Sequence, residues 1–324
     1  MKIVILDGER TNPGDLSWAP IAALGELTVW PHTAPEQVIE RIADSDVVIV
    51  DKPVISREIM DACPSLKLIT LFATGFNNID IDAAREKGIC VCNVPGYSSH
   101  AVSQLAAALL LEICTQVGRH SEAVAAGEWT DNSYFCRVAP RMCEIAGKTV
   151  GIIGYGGIGR AFGRIMKAMG ANLLVYSRHR GEPEDDQTRW ADLNEIYAKS
   201  DVISLHCPLN DDSRGMIDRK AIAKMKDGVI LLNTARGALI DETAVAEALR
   251  SGKILALGQD AFAVEPIRQD NPLLRAPNTW LTPHIGWAPH ETRARLIGLV
   301  AENIRRFLEG RPINVVNPRE VPRS

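Results

Sequence analysis

Short apolar runs alternate with stretches of helical apolar spacing along nearly the whole chain. In the N-terminal part, the apolar runs predict strands and the stretches between them predict helices. Strands that alternate with helices are typical of a parallel sheet, so we predict a small α/β unit here. The predicted strands are residues 2–6, 27–30, 47–50, 68–71 and 89–93, and the predicted helices are residues 35–43, 57–62 and 80–87.

A second unit repeats the alternation. A long helical pattern at residues 101–126, rich in alanine and leucine, is predicted to bridge the two units. Six strands with helices between them are what a doubly wound dinucleotide-binding domain needs. A last helix is predicted at 292–308, and the tail at 312–318 is predicted to be extended. The six predicted strands are residues 149–153, 172–176, 202–206, 229–233, 254–259 and 279–281.

The second unit begins with a glycine-rich turn, VGIIGYGGIGR, at residues 150–160. Gly154, Gly156 and Gly159 occupy the glycine positions of G-x-G-x-x-G. The first allows a tight turn, the second leaves room for a pyrophosphate to approach the backbone, and the third lets the helix pack against the strand. A strand-like run precedes the turn, and a helix at 157–169 and a second strand follow it. This context predicts a dinucleotide-binding site with the phosphates of the ligand at the helix N-terminus.

The composition and net charge of the chain argue against some classes of function. The chain has 324 residues, 46% of them hydrophobic and 23% charged, which is the balance of a globular protein of about two domains. The net charge of −4 provides no basic field for nucleic acid or a membrane surface. No apolar run approaches the ~18 residues of a membrane helix, and the N-terminus is predicted to be a strand rather than a signal peptide. We therefore expect a cytoplasmic protein without nucleic-acid or membrane partners.

The cysteines contain no C-x-x-C pair, and two of them, Cys90 and Cys92, alternate within one predicted strand. Reduced thiols are the favoured interpretation over disulfides or metal ligands. We predict no metal site, since H-E-x-x-H and spaced Cys/His ligand groups are missing from the sequence. The seven cysteines are Cys63, Cys90, Cys92, Cys114, Cys136, Cys143 and Cys207.

Several polar stretches follow predicted strands, where ligands bind in such sheets. Three of them, NTARG, DAFAVEP and TPHIGW, follow the glycine turn in an order and spacing that resemble the D-isomer-specific 2-hydroxyacid dehydrogenases, and the resemblance covers nearly the whole chain. Within that family the closest resemblance is to the glycerate dehydrogenase, or hydroxypyruvate reductase, type. It rests on HIGWA, HSEAVAAGEWT and PINVVNP. The family stretches are ATGFNNID (73–80), NVP (93–95), NTARG (233–237), DAFAVEP (260–266) and TPHIGW (282–287).

The resemblance implies two doubly wound parallel-sheet domains and a homodimer formed through 101–126 and its flanks. A Rossmann-type coenzyme domain, 100–287, would be inserted in a flavodoxin-like substrate-binding domain, 1–99 and 288–324. Substrate and nicotinamide would meet in the cleft between them. Backbone N–H groups of Gly75 and Phe76 would hold the substrate carboxylate. The residues implied near the cofactor are Val102, Gly157, Ile158, Pro208, Ser213, Thr234, Asp260 and His284.

The resemblance also implies three catalytic residues. Arg236 would hold the substrate carboxylate and polarise the keto oxygen, because its planar charged fork fits a carboxylate. His284 would donate a proton to the ketone oxygen as hydride arrives. Glu265 would pair with His284, orient its ring and favour its protonated form. Taken singly, the three residues could equally be a surface arginine, a loop glutamate and a structural histidine.

The implied activity is reduction of hydroxypyruvate or glyoxylate with a nicotinamide cofactor. A phosphoglycerate dehydrogenase-like enzyme is the nearest alternative. A non-catalytic, NAD(H)-sensing protein similar to the corepressors related to this family is an alternative from another class, since fold does not decide function.

The end of the second strand favours NADP over NAD, although NAD remains possible. NAD-binding folds carry Asp or Glu there, about 20 residues beyond the glycine turn. Here the position is Ser177, followed by Arg178, His179 and Arg180. Serine does not repel the extra phosphate of NADP, and guanidinium groups suit phosphate. The alternative is a solvated basic turn whose arginines pair with the acidic loop 182–186.

Overall fold

The structure is a computed structural model, and it describes residues 1–130, 135, 136, 138, 142–178, 180, 185 and 187–318. Its contacts divide the chain into two compact units. The first consists of Met1–Tyr97 together with Ala288–Ser324, and the second is Ser98–Trp287. The first unit is therefore discontinuous in sequence, and the second unit is inserted between its two segments.

Strands in the described residues are, in order, β1 (Lys2–Ile5), β2 (Glu26–Val29), β3 (Val47–Val50), β4 (Leu68–Leu71), β5 (Cys90–Cys92), β6 (Thr149–Ile153), β7 (Asn172–Tyr176), β8 (Thr188–Trp190), β9 (Val202–Leu205), β10 (Val229–Asn233), β11 (Ile254–Gln259) and β12 (Thr279–Leu281). The α-helices are α1 (Gly8–Thr11), α2 (Ala19–Ala22), α3 (Val38–Ile42), α4 (Arg57–Ala62), α5 (Ile81–Glu86), α6 (Ser99–Thr115), α7 (Val117–Ala125), α8 (Gly157–Ala168), α9 (Leu193–Lys199), α10 (Arg219–Lys224), α11 (Glu242–Ser251) and α12 (His290–Leu308). Short 3₁₀ helices occupy Pro35–Gln37, Gly237–Leu239 and Pro272–Arg275.

The first unit contains a five-stranded parallel sheet in the order β2-β1-β3-β4-β5. This is the flavodoxin-like order, and its central strands β3 and β4 are buried along their whole length. Parallel strands covered on both faces are continuously apolar, which is why their positions were predictable. The loop 73–80 follows β4, so it lies at the carboxyl edge of this sheet.

The C-terminal segment completes the first unit. The side chain of Asn303 in α12 is fully buried and donates to the Asn93 carbonyl at 2.9 Å. In the tail, Val315 forms an antiparallel bridge with Cys92. These contacts explain why the chain must return to the first unit after building the second.

The second unit contains a seven-stranded parallel sheet in the order β12-β11-β10-β9-β6-β7-β8. Counted from β6, the inner order is the 3-2-1-4-5-6 arrangement of the Rossmann fold with one further strand at the edge. The predicted class, two parallel-sheet α/β domains of which one is Rossmann-like, is confirmed. The prediction of six strands is wrong, because β8 (Thr188–Trp190) adds a seventh. This three-residue edge strand includes an exposed arginine, so it lacks the apolar run of the inner strands.

The single helix predicted at 101–126 is also wrong. The structure has α6 and α7 there, bent by 57° at Gln116, which adopts the left-handed conformation with φ 52°. Helix α6 is largely buried, whereas α7 has no buried residue. Helical spacing in the sequence continues through the bend, so periodicity could not reveal it. Among the described residues, no single helix is long and apolar enough to span a membrane, and α6 with α7 meets that test only as a bent pair.

Candidate active site

The glycine turn joins β6 to α8 and is shaped by close backbone contacts. A Cβ atom on Gly154, where φ is +99°, would lie 2.4 Å from the Cys207 nitrogen, and one on Gly159 would lie 2.2 Å from the Gly154 oxygen. A Cβ on Gly156 would meet nothing within 4 Å. The first and third glycines therefore permit close packing, and the second leaves open space beside the N-terminus of α8. That cradle fits a dinucleotide pyrophosphate.

The loops after β9 and β10 lie at the same edge of this sheet. The Ser213 hydroxyl donates to the Pro208 carbonyl at 2.8 Å and accepts from the Asn210 nitrogen at 2.8 Å, so it shapes its own loop. The Thr234 hydroxyl is buried without a hydrogen-bond partner among the described residues. A buried orphan hydroxyl at this edge is compatible with a cofactor contact.

Arg236 is held by the backbone of its own loop. The buried Asn233 side chain donates to the Arg236 carbonyl at 3.0 Å and accepts from the Ala235 nitrogen at 3.2 Å. A Cβ on the next residue, Gly237, would lie 1.9 Å from the Phe262 carbonyl carbon, so this loop packs directly against the next one. The Arg236 guanidinium is exposed and donates to the Ala235 carbonyl at 2.7 Å. Its other N–H groups can meet a carboxylate.

His284 and Glu265 come together across two loops. The Nδ1 atom of His284 lies 2.7 Å from Glu265 Oε2, and both side chains are about one-third exposed. The other oxygen of Glu265 accepts from the Phe262 nitrogen at 2.9 Å. A carboxylate on Nδ1 fixes the tautomer of the ring and leaves Nε2 for a reacting group. This is the geometry of an oriented general acid and base.

Asp260 holds the loop that carries His284. Its Oδ1 accepts from the Thr282 hydroxyl at 2.6 Å and the Ile285 nitrogen at 2.8 Å, and its Oδ2 accepts from the Gly286 nitrogen at 2.9 Å. Asp260 is 2% exposed. His284 has a φ of +57°, an uncommon conformation for a residue with a side chain. The hydrogen bonds that Asp260 accepts from Thr282, before His284, and from Ile285 and Gly286, after it, hold the backbone in that conformation.

The remaining predicted residues of this unit lie around the same edge. Val102, at the start of α6, would contact a Cβ on Gly286 at 3.3 Å. Gly157 and Ile158 form the first turn of α8. Gly75 and Phe76 belong to the first unit, in the loop after β4. There Asn78 braces the loop by donating to the carbonyls of residues 51 and 53 at 3.1 and 2.9 Å.

Ser177 follows β7 and is half-buried, while Arg178 and Arg180 are exposed. Among the described residues, Arg178 pairs with the carboxylate of Asp212, at 3.8 Å, and both side chains are more than half exposed. Such a pair contributes little. His179 and most of the acidic loop 182–186 lie outside the described residues. The one described acid of that loop, Asp185, pairs with Lys167 rather than with either arginine.

Sequence reasoning missed two polar residues that shape the site. Asn233 ends a buried strand and ties down the loop of Arg236. His206 is half-buried, with Nε2 2.8 Å from the Ser204 hydroxyl, and desolvation of its ring lowers the pKa of His206 to about 3. It is a neutral histidine packed on Phe162. Asn233 ends an apolar strand and His206 directly follows one, and a polar residue in that position is the sequence feature that could have identified both.

Known proteins resemble this chain in sequence and structure. Residues 107–286 match the family described as D-isomer specific 2-hydroxyacid dehydrogenase, NAD binding domain. A hydroxypyruvate reductase of Blautia hydrogenotrophica is 47% identical over 98% of this chain and 100% of that protein. The TT0316 protein of Thermus thermophilus matches with a TM-score of 0.87 and 32% identity, over 98% of this chain and 100% of that one. An acyclic imino acid reductase solved with NADPH and D-Arg matches with a TM-score of 0.84 and 30% identity, over 98% and 100%.

The family match covers more than half of the chain, and the relative from Blautia aligns over its full length. An NAD-binding domain indicates a nicotinamide cofactor, in agreement with the glycine cradle between β6 and α8. The predicted family is confirmed: the chain belongs to the D-isomer-specific 2-hydroxyacid dehydrogenases.

Proposed function

We propose that this enzyme reduces small 2-ketoacids, hydroxypyruvate and glyoxylate above all, to D-2-hydroxy acids with NAD(P)H. The observation that carries the proposal is the 2.7 Å contact between His284 Nδ1 and Glu265 Oε2. A histidine oriented in this way can deliver a proton from Nε2 to a ketone oxygen. The name of the relative that is 47% identical, hydroxypyruvate reductase, supports this choice of substrate.

Each side chain has a distinct task in this mechanism. The exposed guanidinium of Arg236 binds the substrate carboxylate with two parallel hydrogen bonds and draws electron density from the keto oxygen. His284 Nε2 protonates that oxygen, and Glu265 stabilises the ring while it carries its proton. Gly75 and Phe76 supply backbone N–H groups for the carboxylate. The nicotinamide cofactor, whose phosphates Gly154, Gly156 and Gly159 would admit, supplies the hydride.

A substrate panel tests the proposal. Steady-state rates are measured for hydroxypyruvate, glyoxylate, pyruvate, a branched ketoacid and phosphohydroxypyruvate, each with NADH and NADPH. We expect hydroxypyruvate or glyoxylate to have the highest kcat/KM, with turnover on the order of 1–10³ per second. A wide margin for pyruvate or the branched acid would show that the substrate is wrong. Preference for phosphohydroxypyruvate would favour a phosphoglycerate dehydrogenase, and cofactor binding without turnover would favour a sensor.

The proposed cofactor is NADP. Ser177 stands where a carboxylate would repel the extra phosphate, and Arg178 and Arg180 are exposed beside it. The structural relative solved with NADPH supports this preference. One effective charge-assisted hydrogen bond contributes ~1.5–3 kcal/mol, or roughly 10- to 100-fold in affinity. We therefore expect NADPH to be favoured at least tenfold in kcat/KM.

Two variants test the cofactor preference. Ser177→Asp combined with Arg178→Ala should shift the preference toward NADH, because it adds a repulsive carboxylate and removes a cation. Arg189→Ala is the matched control, since this exposed arginine is in β8 and pairs with Glu195 at 2.8 Å. It should leave the NADPH to NADH ratio unchanged. Use of NADH as well as NADPH by the unmodified enzyme would show that the arginines do not contact the cofactor.

The proposed assembly is a homodimer that buries α7. This helix has no buried residue, and its Val117 and Val124 side chains are 63% and 53% exposed. Trp129, just beyond it, is 47% exposed. Light scattering should give twice the 35.4 kDa mass of one chain. Val117→Glu with Val124→Glu should yield monomers, while Ile39→Glu, at an exposed apolar position of the first unit, should not. A monomeric mass for the unmodified protein would contradict the proposal.

A further inference from the structure

Two cysteines far apart in sequence place their sulfur atoms together. The Sγ atoms of Cys114 and Cys143 lie 3.3 Å apart, and the Cys143 backbone nitrogen donates to the Cys114 carbonyl at 3.0 Å. Cys114 is in the last turn of α6, and Cys143 precedes β6. We propose that this pair is a modification site, a dithiol that a hydroperoxide oxidises to an intramolecular disulfide.

The backbone contact makes the pairing geometrically accessible. Cys114 is in the last turn of α6 and Cys143 is in the segment before β6, and a backbone hydrogen bond joins the two residues directly. The two Sγ atoms must approach from 3.3 Å to about 2.05 Å to form a disulfide. Closing the bond therefore needs only a small movement of the two side chains, because the backbone already holds the two residues side by side.

The two sulfurs differ in their surroundings, which sets the order of the steps. Cys114 is 2% exposed, and burial, with the neighbouring Cys143 sulfur as a smaller cause, raises the pKa of Cys114 to about 12. Cys143 is half-buried and is the sulfur that solvent reaches. Because a peroxide arrives from solvent, it meets Cys143 first, and the Cys143 thiolate is the nucleophile that attacks it.

The chemistry balances with hydrogen peroxide as the only co-reactant. The Cys143 thiolate attacks one peroxide oxygen, the O–O bond breaks, and hydroxide leaves, which produces a sulfenic acid on Cys143. The Cys114 sulfur then attacks the Cys143 sulfur. The S–O bond breaks, and the hydroxyl leaves as water with the proton of Cys114. Two thiols and one peroxide yield one disulfide and two waters.

The chain contains a second close pair that serves as an internal comparison. The Sγ atoms of Cys90 and Cys92 are 3.7 Å apart, but both residues belong to the single strand β5 with one residue between them. Alternate residues of a strand are separated by roughly 6.6 Å along its axis, near the upper limit for a disulfide. We expect this pair to remain reduced under conditions that oxidise Cys114 and Cys143.

The modification site lies far from the catalytic edge of its own unit. Val102, which borders Gly286, is twelve residues before Cys114 on α6. That distance is about 18 Å along a helix. The disulfide would enclose residues 115–142, α7 among them, in a covalent loop and so restrict the unfolded chain. We expect oxidation to raise the unfolding temperature and to leave turnover unchanged.

Peptide mapping of the full-length protein tests the proposal. The protein is treated with hydrogen peroxide, alkylated, digested without reductant and analysed by mass spectrometry. We expect a linked pair of peptides containing Cys114 and Cys143, lighter by two hydrogens than their sum, that dithiothreitol separates. Cys136→Ser, at an exposed cysteine, should give the same product. In Cys114→Ser, Cys143 should be trapped as a sulfenic acid by dimedone.

The wild-type measurement alone can overturn the proposal, even if a variant fails to fold. Alkylation of both Cys114 and Cys143 after peroxide treatment would contradict it. So would a disulfide that joins Cys143 to Cys136, or a Cys90–Cys92 disulfide that forms first. The Cys143→Ser variant cannot form this disulfide. A linked-peptide signal assigned to Cys114 and Cys143 in that variant would therefore be a misassignment.

Discussion

Replacing Asp260 with asparagine should damage catalysis by loosening the loop that carries His284. The carboxylate accepts three hydrogen bonds, from the Thr282 hydroxyl and the nitrogens of Ile285 and Gly286. An asparagine has one acceptor oxygen and one NH₂ group. In Asp260→Asn the NH₂ group therefore faces at least one of the buried backbone N–H groups, and that N–H loses its acceptor. Each lost charge-assisted bond costs about 1.5–3 kcal/mol.

That free energy sets the size of the expected effect. If the loss falls on the geometry of His284, 1.5–3 kcal/mol corresponds to a decrease of about 10- to 150-fold in kcat/KM. If it falls on the fold, the free energy of unfolding decreases by a similar amount. Both are measured, by steady-state kinetics with hydroxypyruvate and by urea denaturation without cofactor. Asp218→Asn is the matched control.

Asp218→Asn distinguishes the effect of losing any helix-capping carboxylate from the effect of losing the carboxylate of Asp260. Asp218 accepts from the Ala221 nitrogen at 2.8 Å at the start of α10, and asparagine caps a helix about as well as aspartate, so Asp218→Asn should change neither stability nor kcat/KM appreciably. Normal kinetics and normal stability for Asp260→Asn would show that this carboxylate does not hold the His284 loop. A weaker cofactor affinity with unchanged stability of the free protein would show that Asp260 acts on the cofactor instead.

Two further predictions follow from the same structure. Arg236→Lys should raise KM for hydroxypyruvate and lower kcat, because a point charge cannot reproduce the two parallel bonds of the fork, and steady-state kinetics measure both. The hydrogen bond from Arg293 lowers the pKa of Asp15, so the stability that this pair contributes is present above the unfolded pKa near 3.8 and is lost as pH falls through the folded value. Urea titrations across acidic pH should therefore show Asp15→Asn less stable than the wild type at neutral pH, with the difference disappearing in acid; a constant difference would contradict this.

The inner strands could be predicted from sequence because a parallel sheet covered on both faces leaves an apolar run, as in Val47–Val50. The edge strand Thr188–Trp190 could not, since its exposed side tolerates an arginine. The bend at Gln116 depends on one left-handed residue inside an unbroken helical pattern. In each case the missing information is the environment of the residue rather than its type.

The candidate site, like the fold, could be predicted from the sequence only in part. The residue types of Arg236, Glu265 and His284 are visible in the sequence, but the pairing of Glu265 with His284 depends on two loops that meet only in the fold. The role of Asp260 as the anchor of the His284 loop is likewise tertiary, because its partners lie at least 22 residues away. Motif spacing indicated where these residues lie in the chain, and only the structure shows which atoms they contact.

The turnover of His284→Ala tests most directly whether His284 delivers the proton during ketoacid reduction. We expect kcat with hydroxypyruvate to fall by ~10²–10⁴-fold, the usual worth of a general acid, while the dissociation constant for the nicotinamide cofactor stays near that of the wild type. His290→Ala is the control, since that histidine lies in the first unit, 3.3 Å from the Asp15 carbonyl, and its loss should leave kcat unchanged. Near-normal turnover in His284→Ala would show that another group delivers the proton.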